Sequence, residues 1–388
     1  MATTRKSIAE AADTIVVKIG TRVLTDPTGA LDLDRVSTLA GQLAEAVDAG
    51  RQVVLVSSGA VGAGLGRLGL GRRPSDLAEL QAVASVGQSG LIEAYNRALE
   101  NYGHHAAQVL LTADDFADRS RYLNVRNTLF ALFRLRAVPI VNENDAVRVD
   151  ELQRNFGDND RLAAMVTNLL RAPLLILLSD VEGVYDRSGS EADGANLLTE
   201  IDLTADAAGD LVFEHTVGGG NTKEGPQLSR GGMRSKLEAA RLVTTAGERA
   251  IIASGRRDRV LTDILAGRDV GTLIVGPDSA VNSRKRWISS VARCKGQLAV
   301  DAGAARALRE QGSSLLAIGI TAVEGEFGKG DVVAITGPAG DELARGLSNY
   351  SSAEVRDIAG KPTEQFGEIL GHSPYEEVVH RDNLALLV

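Results

Sequence analysis

A chain of 388 residues, 44% hydrophobic and 24% charged, is long enough for more than one domain with a core of its own. Its net charge of −9 argues against a general binder of nucleic acid or membrane surfaces, and its single cysteine, Cys294, excludes an internal disulfide and suits a reducing, cytoplasmic setting. Five scattered histidines disfavour structural zinc, the opening MATTRKSIAEAADT lacks the apolar core of a signal peptide, and no apolar run approaches the roughly 18 residues of a membrane span.

The first strand signal is TIVVKIGTRVL (14–24). Ile15, Val16, Val17 and Ile19 bracket Lys18, and Gly20 follows, which predicts a buried strand over Thr14–Ile19 carrying one ammonium. An unpaired charge is costly in a core, so Lys18 calls for an anion. Val36, Leu39, Ala40, Leu43 and Val47 share one helical face. Further strands are expected over Gln52–Ser57, Gln108–Leu111, Ala137–Asn142, Pro173–Leu178 and Arg249–Ala253. Further helices are expected over Asp76–Asn101, Ser120–Arg136, Asn159–Arg171 and Met233–Ala246. Short apolar strands alternating with amphipathic helices predict an α/β domain, a mainly parallel sheet sandwiched by helices, over 1–276. Ligands of such sheets sit at the carboxyl ends of the strands.

The pattern changes near Pro277. GPDSAVNSRKRW (276–287) is polar, and a linker is expected over 277–294. Beyond it QLAV, SLLAIGI, DVVAIT, ELARGLS and YEEVVH alternate with Gly-rich turns, which predicts a small β-rich, partly open barrel over 295–388. The stretches 186–196 and 218–232 read as lid-type loops.

The residues that follow the strands carry the chemistry. SSGAVGAGLG (57–66) lets backbone N–H groups approach a ligand closely, and the same glycines equally serve close helix packing. It also holds a formal G-x-G-x-x-G at Gly64, Gly66 and Gly69. A dinucleotide fingerprint belongs in the first strand-to-helix turn, however, and Gly64 stands seven residues beyond Ser57. NENDAV (142–147) and FGDNDRLAA (156–164) gather Asn142, Glu143, Asn144, Asp145, Asp158, Asn159 and Asp160 at one sheet edge, the last two at a helix start. One of them would suffice as a cap. Seven suit an amino-acid site, with carboxylates for an ammonium and amides and helix N–H groups for carboxylates. A carboxylate here also suits Mg2+. Ser179 and Asp180 close an apolar strand, where they would contact a nucleotide or cap the strand end. RGGMRSKLEAA (230–240) places glycines at a helix start and Lys236 one turn in, although no Walker A motif exists in the chain. Lys18 and Lys236 with carboxylates between them fit phosphoryl transfer.

At these residues the chain resembles the glutamate 5-kinases of the amino acid kinase superfamily. The resemblance runs through VVKIGTRVL, VSSGAV, VPIVNENDAV, GDND, LLSDVEGVY, GGMRSKLEAA, GTL and NSRKRWI. VDAGAARAL and GSSLLAIGI resemble a PUA domain. The resemblance implies the amino acid kinase fold and phosphorylation of the γ-carboxylate of L-glutamate by ATP, the first step of proline biosynthesis. By position it gives Lys18 and Lys236 the transferring phosphoryl group and Asp160 the organisation of the two lysines. Ser58, Gly59, Asp145 and Asn159 would hold glutamate. Ser179, Asp180, Arg230, Gly231, Gly232, Met233, Arg234, Ser235 and Lys236 would contact ATP, together with Lys18. ATP and Mg2+ are the implied cofactors, with no dedicated protein metal site. A homo-oligomer, feedback inhibition by proline and hand-over to glutamate-5-semialdehyde dehydrogenase are implied as well.

Two features depart from the family pattern. Arg230 stands where a small hydroxyl residue is usual, with Arg234 in the same loop, and the loop 218–232 is long. Two alternatives stay open: another amino acid kinase, and RNA binding through the PUA-like segment. Residues 281–388 hold twelve Lys/Arg and fourteen Asp/Glu, a net charge of −2, which disfavours RNA because phosphate contacts dominate its binding. His380-Arg381-Asp382 matches a protein-kinase tripeptide but lacks the downstream Asn at the required spacing.

Overall fold

The computed structural model describes residues 4–26, 29–147, 159–186, 194–203, 232–276, 288, 294–371 and 375–387. The chain divides into two compact units, Met1–Asp115 with Tyr122–Ala280, and Val281–Val388 with Phe116–Arg121. The expected linker and both lid-type loops fall largely outside the described residues.

The first unit is built on β1 (Thr14–Ile19), β2 (Gln52–Ser57), β3 (His105–Leu111), β4 (Ala137–Glu143), β5 (Leu174–Ser179), β6 (Glu200–Asp202), β7 (Arg249–Ser254) and β8 (Thr272–Val275). They form one sheet in the order β3-β4-β2-β1-β5-β7-β8-β6. Every pairing is parallel except β7 with β8. The expected parallel-dominated sheet is therefore present. β6 and β8 are additions to the expected strands; at three and four residues they are too short to carry a period.

The helices that matter for the site are α1 (Leu33–Asp48), α2 (Ala60–Leu68), α3 (Leu77–Glu100), α4 (Asn159–Leu170) and α5 (Met233–Thr244). Asp32 and Asp76 cap α1 and α3 by accepting the N–H groups of Arg35 and Glu79. All six residues of β1 are buried, as are all six of β5, so both faces of the sheet centre are covered. The period of two then sorts the side chains. Ile15, Val17 and Ile19 enter one core with Leu39 and Leu43 of α1 and Leu91, Tyr95 and Leu99 of α3. Lys18 points to the opposite face, where Asp160 of α4 meets it.

The glycines of 57–66 divide between two jobs. Gly59 adopts φ +107° and turns the chain from β2 into α2, a conformation costly for any side chain. Gly64 and Gly66 lie within α2 and Gly69 caps its end, so the G-x-G-x-x-G spacing is not a strand-to-helix turn. A Cβ at Gly64 would lie 2.0 Å from the Val83 carbonyl oxygen of α3, and one at Gly87 would lie 1.8 Å from that of Ala60. These glycines let α2 and α3 touch backbone to backbone. Gly87→Ala is expected to push them apart and cost about 1–3 kcal/mol, as overpacking does. A urea midpoint within error of the parent would show that the contact relaxes freely.

The second unit holds β9 (Gly296–Val300), β10 (Ile320–Gly325), β11 (Val332–Thr336), β12 (Glu342–Leu347) and β13 (Leu384–Leu386) in one sheet, ordered β10-β9-β11-β12-β13. Its core gathers Leu298, Val300, Val333, Ile335, Tyr350, Val355 and Phe366. Of SLLAIGI only Ile320 is in a strand, and YEEVVH contributes a single bridge from Val379 to Leu315.

Candidate active site

The carboxyl ends of β1, β2, β4 and β5 converge on the start of α4. Backbone ladders extend to the site itself: the Ser58 N–H donates to the Ile19 carbonyl at 3.2 Å and the Gly20 N–H to that of Leu178 at 3.0 Å. The chain is thus held on both sides of β1 where the functional side chains begin.

At the centre is Asp160, fully buried in the first turn of α4. Its Oδ1 lies 2.6 Å from Lys18 Nζ, and its Oδ2 lies 3.2 Å from Lys236 Nζ and accepts from the Ser235 hydroxyl at 2.8 Å. Lys18 is 4% exposed and Lys236 5%, although one leaves β1 and the other the second turn of α5, more than two hundred residues later. Burial alone would push the Asp160 carboxyl up. The two ammonium groups and the hydrogen bonds from Lys18 and Ser235 outweigh it and hold the carboxyl below the ordinary carboxylate range. Among the described residues these three charged groups sum to +1, and all three are buried. Such a cluster is balanced only when an anion joins it.

A second constellation lies alongside. Asn159 directs Nδ2 to Ser58 Oγ at 2.9 Å, to Asn142 Oδ1 at 3.0 Å and, at 3.4 Å, to the Ser57 carbonyl. Asn142, at the end of β4, donates to Gln88 Oε1 of α3 at 2.8 Å. Ser57 Oγ donates to the Tyr95 hydroxyl at 3.2 Å, and burial pushes that phenol up. Ser58, Gly59 and Asn159 are therefore brought together beside the charged cluster. Asp145 begins a short 3-10 turn, Asp145–Val147, one residue beyond β4 and is half-buried.

At the end of β5, the Ser179 hydroxyl donates to Asp180 Oδ1 at 3.0 Å and Arg22 pairs with Asp180 Oδ2 at 3.1 Å. Burial raises the Asp180 carboxyl; the hydrogen bond from Arg22 leads the opposing effects and holds it low. Gly232 stands at the N-terminus of α5 with open space at its Cα, and its carbonyl also accepts from Ser235 Oγ, at 3.0 Å. Met233 follows, half-buried. Arg234 is exposed and pairs with Glu238 one turn on, at 2.8 Å. Arg230, Gly231 and Asp158 lie outside the described residues.

Three contributors are absent from the sequence reading: Gln88, Arg22, and Ser235 as a partner of Asp160. Gln88 had a signal. It is the one amide in the buried stripe Val83, Ala84, Gly87, Gln88, Leu91, Tyr95 of α3. Arg22 had none, because its partner is 158 residues away. Among the described residues no group of three or more His, Cys, Asp or Glu has the geometry of a metal site, and no helix is long and apolar enough to cross a membrane.

Known proteins resemble this chain over nearly its whole length. The family model for the amino acid kinase family matches residues 13–254, and that for the PUA domain matches residues 296–370. A glutamate 5-kinase of Rhodopirellula baltica is 50% identical over 384 residues, 99% of this chain and 96% of that one. A glutamate 5-kinase of Moorella thermoacetica is 47% identical over 374 residues, 96% of each chain. Among solved structures, carbamate kinase from Giardia lamblia has the same fold, with a TM-score of 0.50 at 20% identity over 69% of this chain and 99% of that one.

Proposed function

The chain belongs to the amino acid kinase family, and on that footing we propose that it transfers the γ-phosphoryl group of ATP to the γ-carboxylate of L-glutamate, giving L-glutamyl 5-phosphate and ADP, the first step of proline biosynthesis. The observation that carries the reading is the buried +1 cluster of Lys18, Asp160 and Lys236 next to the amide site of Ser58 and Asn159.

A glutamate γ-carboxylate oxygen attacks the γ-phosphorus in line. The bond from that phosphorus to the β–γ bridging oxygen breaks, and ADP leaves. The nucleophile is ionised at neutral pH, so no proton need be removed and no general base is required. Asp160, held ionised, acts as the fixed counter-charge that keeps two lysines aimed at the moving phosphoryl group. Ser58, Gly59, Asp145 and Asn159 hold glutamate. Lys18, Ser179, Asp180, Arg230, Gly231, Gly232, Met233, Ser235 and Lys236 are assigned to ATP binding. The Arg234 side chain, paired with Glu238, is assigned to solvent. Mg2+ would be held by the ATP phosphates and would offset their charge, since the Asp160 oxygens already face Lys18, Lys236 and Ser235.

We propose a kinase domain over 1–276, a linker over 277–294 and a PUA domain over 295–388. The PUA domain is assigned a structural or regulatory role, in keeping with its net charge of −2. A cytoplasmic homo-oligomer, inhibition by proline, and hand-over of the product to glutamate-5-semialdehyde dehydrogenase complete the proposal.

ADP release measured against a panel of amino acids tests the function. Turnover with glutamate is expected; turnover with aspartate or N-acetylglutamate alone would move the chain to a sister kinase. Asp145→Ala and Asn159→Ala are each expected to raise the glutamate KM at least tenfold, about 1.4 kcal/mol of lost binding, while titration with an ATP analogue stays unchanged. Loss of nucleotide binding with an unchanged glutamate KM would reverse the assignment of these two residues.

A further inference from the structure

Two backbone groups of fixed polarity set the orientation of the amides of Gln88, Asn142 and Asn159 beside the charged cluster. The Glu143 N–H can only donate, and it donates to Asn142 Oδ1 at 2.9 Å. Asn142 Nδ2 must then face Gln88, and Gln88 must answer with Oε1, 2.8 Å away. The Ser57 carbonyl can only accept; with Asn142 Oδ1 it commits Asn159 Nδ2 to the protein side. Two consequences follow at the open side. Asn159 Oδ1 lies on the opposite edge of its amide as an acceptor. The Ser58 hydroxyl, already accepting from Asn159, keeps its hydrogen to donate. Among the described residues neither has a further partner.

Gln88 bears a cost for this arrangement. It is 7% exposed, and its Nε2 is buried with no hydrogen-bond partner among the described residues. A flipped amide would set donor against donor at Asn142. The orphaned amino group is a buried unsatisfied donor that calls for an explanation, and the relay supplies one. The backbone contact of Gly64 and Gly87 sets how closely α3 approaches, and Gln88 is the next residue along.

We infer that Gln88 is a positioning residue whose Oε1 sets the polarity of the Gln88–Asn142–Asn159 relay, so that the site offers an acceptor at Asn159 Oδ1 to the substrate ammonium and a donor at Ser58 Oγ to a substrate carboxylate. The relay selects a free α-amino acid: an acylated amine has lost the charge and most of the hydrogens that Asn159 Oδ1 would receive. This rests on the glutamate reading of the site.

The test is steady-state kinetics of full-length Gln88→Leu and Gln88→Glu, with N-acetylglutamate and glutarate as competitors of the unmodified protein. Gln88→Leu removes the acceptor and is expected to raise the glutamate KM at least tenfold, with the ATP KM within threefold. Gln88→Glu retains an acceptor oxygen toward Asn142 and is expected to keep both KM values within about threefold. Both competitors are expected to bind at least tenfold more weakly than glutamate. If the leucine variant does not fold, Gln88→Met, of matching length and with only a weakly accepting thioether, replaces it. An unchanged glutamate KM without the acceptor overturns the inference, as does an equal rise in the acceptor-bearing variant or tight binding of glutarate. If the unmodified chain shows no glutamate-dependent ADP release, the functional reading itself has failed.

Discussion

Lys18→Ala and Lys236→Ala are each expected to lower kcat by about a hundred- to a thousandfold, or about 2.7–4 kcal/mol, while the glutamate KM moves by less than about threefold. The size follows from where the ammonium groups stand. Each is at most 5% exposed and within 3.2 Å of the Asp160 carboxylate, so bulk water screens neither charge well. Removing one takes the three-group cluster from +1 to neutral and removes its pull on a phosphoryl group whose charge is spreading over the equatorial oxygens. Because that charge develops in the transition state, the loss appears in kcat. Steady-state ADP release by folded variants decides the matter, with circular dichroism to confirm the fold. A near-normal kcat in either variant would take that lysine out of the mechanism. Arginine is not expected to rescue either position, since a planar fork does not replace a compact ammonium in a closed space.

Asp160→Ala is expected to cost about 3–5 kcal/mol of stability in addition to activity, because it strands two buried ammonium groups without a counter-charge. The pH dependence gives a second signature. The Asp160 carboxyl is held below its unfolded value of about 3.9, so its contribution is fully present above about pH 4 and is lost as the pH falls through the folded value. The gap in urea midpoint between the parent and Asp160→Asn should be constant from about pH 5 to 8 and narrow below about pH 4. A gap independent of pH down to about pH 3 would mean that the carboxylate is not held in its ionised form by the lysines.

The central strands were legible because burial on both faces leaves short unbroken apolar runs, as in β1 and β5, each buried throughout. The long helices were legible for the same reason: α1 and α3 bury a stripe with a period near 3.6, and an aspartate caps each of them. Elements shorter than a period were not. Glu200–Asp202 has three residues, and SLLAIGI, apolar as any strand, enters the second sheet only at Ile320. The glycines of 57–66 admitted two readings, ligand approach and helix packing. Gly59, in a left-handed conformation, turns the chain from β2 into α2, and Gly64, against the Val83 carbonyl, serves the packing.

Residues adjacent along the chain were enough to give the parallel α/β class, the strand ends that carry Lys18, Ser58, Asn142 and Ser179, and the helix start at Asn159. Only the folded chain shows that Lys18 and Lys236 share one carboxylate, that Ser235 joins it, that Arg22 pairs with Asp180, and that Gln88 accepts from Asn142. Local patterning reports which face of an element is apolar. It carries no information about which polar groups meet across crossovers of fifty to two hundred residues, where sheet order and helix depth determine distance.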